Sequence, residues 1–288
     1  MRRASRGARI GEYMTVTNAV ETTMIWGTVS GASMVGMVIS LLLSVGLPIF
    51  LGIFIYKKTK AWVPAFFIGC GIFVGFAMIL EQICHAIVLT VTGDVIRDNI
   101  WLYAIYGGLA AALFEECGRW IAMKFCLKKH LTRENALMYG AGHGGIEAFL
   151  ILGMSSMSNL LTAAMINGGL MEKTMAALEP AQQEVTYHQL SVLWTTPAYQ
   201  FYLAPVERIS ATALQIALSI LVYSAVKTGR KLHLAAAFGL HFAVDFLTVV
   251  CASTIPTWAL ELGLLMVVAV ICVAVYKLAY VSSTEKKA

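Results

Sequence analysis

Apolar residues run along the chain in seven long stretches that are separated by short polar segments. An α-helix rises about 1.5 Å per residue, so about 20 apolar residues cross the hydrocarbon core of a bilayer. The pattern therefore predicts an all-α fold, a polytopic membrane helix bundle of about seven transmembrane helices. The stretches lie at roughly 32–56, 62–92, 100–127, 134–156, 201–227, 232–252 and 257–280.

Polar residues at both ends and one long connector complete the predicted domain organisation. Residues 1–31 form a polar, disordered N-terminal tail, 32–281 the transmembrane domain and 282–288 a cytoplasmic tail. The N-terminus has no apolar core behind its arginines, so it is not a signal peptide, and Met14 is a second candidate start. The connector 157–200 mixes apolar and amphipathic pieces, which predicts an extracytoplasmic loop or an interfacial helix.

Lysine and arginine residues are concentrated in alternate connectors. Thirteen lie at one side of the predicted bundle, against two, Arg97 and Lys173, at the other. Because basic residues are retained on the cytoplasmic side of a membrane, we expect the N-terminus outside and the C-terminus in the cytoplasm. The thirteen are Lys57, Lys58, Lys60, Lys124, Lys128, Lys129, Arg133, Lys227, Arg230, Lys231, Lys277, Lys286 and Lys287.

Composition agrees with a chain whose solvent is lipid. Of 288 residues, 59% are hydrophobic and only 13% are charged, about half the charged fraction of soluble domains. A water-soluble fold of this length would lack the polar surface to cover itself. The formal net charge of +5 is distributed by topology rather than gathered in a patch, so we expect a lipid bilayer as the surroundings and no nucleic-acid partner.

Three predicted helices carry ionisable residues within their apolar stretches. In each helix these residues are separated by three or four positions, so they share one helix face. That face must look into the bundle, because ionisable groups are costly against lipid. The residues are Glu115, Glu116 and Arg119 on the third helix, His143 and Glu147 on the fourth, and His241 and Asp245 on the sixth.

The depth of these residues predicts that they converge. Glu116 precedes Lys128 by twelve residues, while His143 and His241 follow basic residues of the same side by ten. All three therefore lie roughly 15–18 Å from one boundary of the membrane. We expect one site in the cytoplasmic half of the bilayer, with its mouth facing the cytoplasm or that half of the bilayer.

A carboxylate beside two imidazoles can activate a water molecule and later protonate a leaving amine. Low dielectric opposes the ionisation of two adjacent carboxylates, which makes Glu115 and Glu116 a natural acid and base pair. Arg119 can hold one of them ionised, and Asp245 can orient His241. Gly144 and its neighbour at 145 would let an extended peptide approach closely.

Other chemistries fit the same residues. Zinc would be held by Glu116, His143 and His241, although the HExxH signature is absent, and no cofactor is favoured. A proton relay or ion pathway would also explain carboxylates at this depth. A single intramembrane histidine is often only a hydrogen-bonded helix contact.

A second polar group lies nearer the outer face of the predicted membrane. It consists of Glu81 and His85 on the second helix and Glu207 and Arg208 on the fifth. We expect an interhelical ion pair near the interface, such as Glu81 with Arg208. The alternative is a role in substrate access.

The motif EExxR on one helix, a histidine on the next and HxxxD on a later one resemble a known superfamily. These are the glutamic intramembrane proteases, which include the CAAX prenyl endopeptidases and bacteriocin-processing enzymes. The segments GHGGIEA and PVERIS look more like the bacterial YhfC-type membrane peptidases. The resemblance covers the third to the sixth predicted helix, and its motifs are specific only as an ordered set.

The resemblance implies Glu115 as the glutamate that activates water, with Glu116 and Arg119 supporting it. It implies His143 as the second-motif histidine, and His241 with Asp245 as the third motif. The prenyl-protease branch has a longer EExxxR spacing and an asparagine where this chain has Asp245. Glu147 has no counterpart in the common motif, and would be a third acid or a metal ligand.

The residues and the resemblance together predict an intramembrane endopeptidase in a bacterial plasma membrane. Its catalytic residues would be Glu115, Glu116, His143 and His241, and its partner a membrane protein or peptide substrate. The alternatives are a proton-coupled transporter and a non-catalytic membrane scaffold or immunity protein. A transporter needs a polar path across the full bilayer, whereas a protease needs only a cavity that opens on one side.

Overall fold

The computed structural model describes residues 24–281, and these are helical with no strand. Seven helices are long and apolar enough to cross a membrane, which confirms the predicted all-α bundle. They are joined by two shorter helices in the long connector. In chain order the helices of six residues or more are α1 (Gly31–Thr59), α2 (Pro64–Thr92), α3 (Ile100–Cys126), α4 (Arg133–Asn167), α5 (Leu170–Met175), α6 (Pro180–Thr195), α7 (Ala198–Thr228), α8 (Lys231–Ala252) and α9 (Thr257–Tyr280).

Local sequence signals mark where the helices begin and end. The side chains of Ser30, Asn99 and Thr132 accept hydrogen bonds from backbone N–H groups at the starts of α1, α3 and α4, which satisfies donors that have no partner within the helix. Gly229 ends α7 in the left-handed conformation, at φ 73°, where a residue without Cβ is not strained.

Helix α4 is longer than its apolar stretch predicted. It continues past residue 156 to Asn167, with a wider π-helical turn at Phe149–Gly153. The connector is correspondingly shorter, and α5 and α6 occupy most of it. Such π-helical turns often mark functional sites, and this one directly follows the segment that carries His143 and Glu147.

Helix α7 is the central helix of the bundle. Its residues from Leu214 to Ala225 are almost all buried, and they form the main core with α2, α4, α8 and α9. Large apolar side chains on the outer helices remain exposed, among them Phe50, Phe67 and Val270. An exposed apolar surface of this kind suits contact with lipid.

Part of the predicted N-terminal tail packs against the long connector. Val29 is buried, and its backbone N–H donates to Asn167 Oδ1 at 2.8 Å. Trp26 lies against Tyr187 and Trp194 of α6, with ring centroids 5.5 and 5.8 Å apart. Trp26 and Val29 therefore contact the bundle, whereas the predictions for residues 1–23, which include Met14, and for 282–288 concern residues outside the described part of the chain.

Candidate active site

Arg119 of α3 is fully buried and contacts three residues most closely. Its Nε lies 3.1 Å from Glu116 Oε2, on the same helix. Its Nη1 donates to the backbone carbonyl of Gln215 at 2.7 Å and to Ser219 Oγ at 2.6 Å, and its Nη2 donates to Gln215 Oε1. The guanidinium thereby joins α3 to the central helix α7.

Glu115 lies at the centre of the site. One carboxylate oxygen, Oε2, is 2.9 Å from His143 Nε2 on α4 and accepts a hydrogen bond from Gln215 Nε2 at 2.9 Å. The same amide nitrogen donates to Glu147 Oε2 at 2.8 Å. The other oxygen of Glu115 accepts no hydrogen bond within residues 24–281, and Glu115 lines a cavity. That oxygen is the one open to a bound molecule.

His241 of α8 completes the site from the opposite side. Its Nδ1 is 2.8 Å from Glu116 Oε1. Its Nε2 lies 4.0 Å from Glu115 Oε2 and 3.5 Å from Asp245 Oδ2. The Glu116 carboxylate, which Arg119 holds, accepts a hydrogen bond from His241 Nδ1, and this leaves Nε2 directed toward Glu115 and Asp245.

All seven ionisable residues proposed for the site from sequence lie within one cluster. The acids and imidazoles come from three helices, and each lies within 3.5 Å of another member of the cluster or of Gln215. Gln215 was missed, although it bridges Glu115 and Glu147. The signal for it was a lone amide within the apolar run TALQIALSILVY of α7, because a buried amide is also costly unless it is hydrogen-bonded.

The cavity beside this cluster has a volume of about 510 Å³. It is bordered by the ends of α2 and α3 that face the 93–99 connector and by parts of α4, α7, α8 and α9. None of its lining residues lies between the cluster and the lysine-rich end of the bundle, the end that carries Lys57, Lys128, Lys227 and Lys231. The cavity thus leads away from the basic end, contrary to the expectation that it would open there. Lining residues include His85, Tyr106, Glu115, Glu147, Glu207, Arg208, Gln215, His241 and Asp245.

The second polar group is continuous with the cluster rather than separate from it. Arg208 contacts Glu207 on its own helix and donates to Glu147 Oε1 at 3.1 Å. Glu81 pairs with His85 on α2 at 3.2 Å. The expected Glu81–Arg208 pair is therefore wrong, because Arg208 is already engaged by two carboxylates nearer to it.

The glycines that follow His143 serve helix packing. A Cβ at Gly144 would lie 3.1 Å from Thr212 Cα and Gln215 Cβ of α7, and one at Gly145 would collide with Pro48 of α1. The expectation that they admit a substrate peptide is wrong, since neighbouring helices occupy both positions.

The donor set of the cluster fits a divalent metal ion. Ligand atoms of Glu115, His143 and Glu147 lie within 4.8 Å of one another, and carboxylate and imidazole donors are those zinc uses in catalytic sites. Metal-bound histidines usually donate their second N–H to a carboxylate or another acceptor. His241 has this arrangement, because its Nδ1 contacts Glu116. His143 does not, because its Nδ1 is buried without a hydrogen-bond partner among the described residues. His241 is thus a fourth candidate ligand, while Glu116 is taken up by Arg119 and His241.

Comparison with known proteins supports the resemblance seen in the motifs. A family model described as YhfC intramembrane metalloprotease matches residues 43–272, a range that contains the whole cluster and cavity. The chain is 42% identical over 204 residues to the uncharacterized membrane protein YhfC of Bacillus subtilis (strain 168). The aligned region covers 68% of this chain and 76% of the relative. No solved structure matches the chain.

Proposed function

The chain belongs to the YhfC intramembrane metalloprotease family, and from this membership and the geometry of the cluster we propose that it hydrolyses peptide bonds of membrane proteins or peptides within the bilayer. The observation that carries the proposal is the placement of Glu115. One of its oxygens is held by His143 and Gln215, and the other is open to the cavity. We assign the protein to the plasma membrane of a bacterium, as the bacterial relative supports.

In the proposed reaction the open oxygen of Glu115 takes a proton from a water molecule as the water oxygen attacks the carbonyl carbon of the substrate. The carbon–nitrogen bond then breaks, and the proton passes to the leaving amine. His143 and Gln215 hold the carboxylate in orientation throughout. Glu116 orients His241 through its contact with Nδ1. The opposite ring nitrogen, Nε2, can then donate to the carbonyl oxygen of the substrate, on which negative charge develops.

Glu115, His143 and Glu147, with His241 nearby, are the residues that would hold a metal ion. A bound divalent ion polarises a carbonyl and makes water more acidic. Gln215, whose amide oxygen is held by Arg119, donates to both Glu115 and Glu147, so these two carboxylates are oriented before a ligand binds.

The one-sided cavity favours a hydrolase over a transporter. On the side of the cluster facing the basic end, Arg119, Tyr139 and Leu218 are fully buried, and the cavity does not continue among them. A carrier must also open to the opposite face in another state, and fully buried residues close that side here, whereas hydrolysis within the bilayer needs access from one face only.

The test compares wild-type protein with Glu115→Gln in liposomes that contain a membrane-spanning peptide. We expect cleavage by the variant to fall about 100-fold or more, the usual contribution of a general base. Glu261→Gln is the matched control, because Glu261 is an intramembrane carboxyl with the same 7% exposure and does not line the cavity. Equal cleavage by wild type and Glu115→Gln would remove the catalytic assignment.

Metal dependence is tested on the same preparation. We expect a chelator to abolish cleavage, added zinc to restore it, and elemental analysis to find one metal ion per chain that is lost in Glu147→Gln. A metal-free protein with full activity would instead assign the reaction to the carboxylate and imidazole groups alone.

A further inference from the structure

A second, smaller hollow lies between α8 and α9 and has a volume of about 210 Å³. Apart from one hydroxyl and one thiol, its walls are hydrocarbon. For comparison, an apolar cavity of about 150 Å³ binds benzene, so this groove has room for one large apolar side chain. It is lined by Val244, Leu247, Thr248, Cys251, Ile255, Ala259, Leu260, Gly263, Leu264 and Val267.

The groove adjoins the cavity of the candidate active site. Val244, Thr248 and Leu264 line both of them. Asp245, the residue after Val244, lines the cavity and lies 3.5 Å from His241 Nε2. The inner end of the groove is therefore next to the groups that carry the proposed reaction.

The outer end of the groove is open to the bilayer. Leu247 and Val267 are 52% and 47% exposed on the two sides of the groove. A Cβ at Gly263 would have no neighbour within 4 Å, so the α9 wall is recessed at this position. An apolar group can thus reach the cavity laterally from lipid.

We propose that this groove is a specificity subsite, which takes a large apolar side chain of the substrate peptide beside the bond that is cleaved. The proposal rests on the proposed function and names its substrate class: membrane-embedded peptides with a bulky aliphatic or aromatic residue near the cleavage site. A peptide matches the whole surface, because its side chain fits the apolar groove while its backbone amides fit the polar cavity. A lipid acyl chain would match the groove alone.

The first experiment measures the preference between two membrane-spanning peptides that differ only in one residue, leucine or alanine, at the position before the cleaved bond. We expect wild type to cleave the leucine peptide at least tenfold better by kcat/KM, in line with discrimination by apolar pockets. Gly263→Leu fills the groove and should reduce that ratio at least fivefold. Gly71→Leu is the control, since Gly71 is an exposed glycine of α2 with equally open surroundings, and it should keep the wild-type ratio. An unchanged ratio in Gly263→Leu would overturn the proposal.

The second experiment does not depend on cleavage. A membrane-spanning peptide with one diazirine-bearing leucine is bound to Glu115→Gln protein and photolysed. We expect crosslinks to Leu247, Cys251 and Leu260, and their loss when Gly263→Leu is added. Crosslinks elsewhere, or groove labelling by a photoreactive phospholipid that excess peptide does not displace, would overturn the proposal. If the wild type cleaves nothing but these crosslinks form, the proposed hydrolysis fails and the peptide site stands.

Discussion

At the scale of single residues, Arg119 explains how two adjacent glutamates are kept inside an apolar bundle. A buried charge is costly unless it is paired and hydrogen-bonded. Arg119 contacts Glu116, Gln215 and Ser219, and each of its partners is itself held by another group. The charged residues therefore form one connected network rather than isolated pairs.

Gln215 orients the carboxylates of this network. Arg119 donates to its Oε1, which fixes the amide so that Nε2 points to Glu115 and Glu147. We predict that Gln215→Leu lowers kcat by about 10- to 100-fold, the usual effect of losing a group that orients catalytic residues, while KM changes little. Proteolysis kinetics of the purified protein provide the measurement.

Ser219→Ala serves as the comparison for that prediction. Arg119 keeps the backbone carbonyl of Gln215 when the serine hydroxyl is removed, so kcat should fall only a few-fold. Similar losses in both variants, accompanied by an equal drop in melting temperature, would mean that Gln215 acts only on stability.

At the scale of elements, glycines decide how closely α2 and α4 approach. A Cβ at Gly69 would collide with the backbone of Tyr139, and one at Gly142 with the backbone of Phe66. Small residues at such contacts are usual between membrane helices, where close packing replaces the hydrophobic effect. This contact fixes the rotation of α4 and with it the direction of His143.

We predict that Gly142→Ala destabilises the protein by about 1–3 kcal/mol, because overpacking against a backbone cannot be relieved by a side-chain rotation. Gly71→Ala should be neutral or slightly stabilising, since nothing lies within 4 Å of a Cβ there and alanine favours a helix more than glycine does. Thermal unfolding of the two variants in detergent tests this. An equal melting temperature for both would contradict the assigned contact.

At the scale of the whole molecule, the cavity and the basic residues lie toward opposite ends of the bundle. The cavity extends toward the 93–99 connector, while the lysine-rich connectors are at the other end. If the basic end is cytoplasmic, as the charge bias predicts, water reaches the cluster from the outer half of the bilayer.

Topology reporters test this orientation. We predict that a fluorescent protein fused after Ala288 folds in the cytoplasm and fluoresces, and that alkaline phosphatase fused at Lys173 in the long connector is active outside. The opposite result at both positions would invert the bundle and direct the cavity to the cytoplasm.

The sequence alone determined the number of spans and showed which ionisable residues lie within them. A bilayer requires long apolar helices, so the hydropathy pattern showed all seven spans, and the helical repeat placed Glu115 with Arg119, His143 with Glu147, and His241 with Asp245 on shared faces. These are local properties of a helix. The ends of the helices were predicted less accurately, since α4 continues 11 residues beyond its predicted end at 156, to Asn167.

Only the tertiary structure decided the partners across helices. It pairs Glu116 with His241, inserts Gln215 between Glu115 and Glu147, directs the cavity away from the basic end, and opens the groove between α8 and α9. These features depend on how each helix is rotated and tilted against its neighbours. Lipid is as apolar as the interior of the bundle, so the apolar pattern that identifies a span does not show which of its faces meets which neighbour.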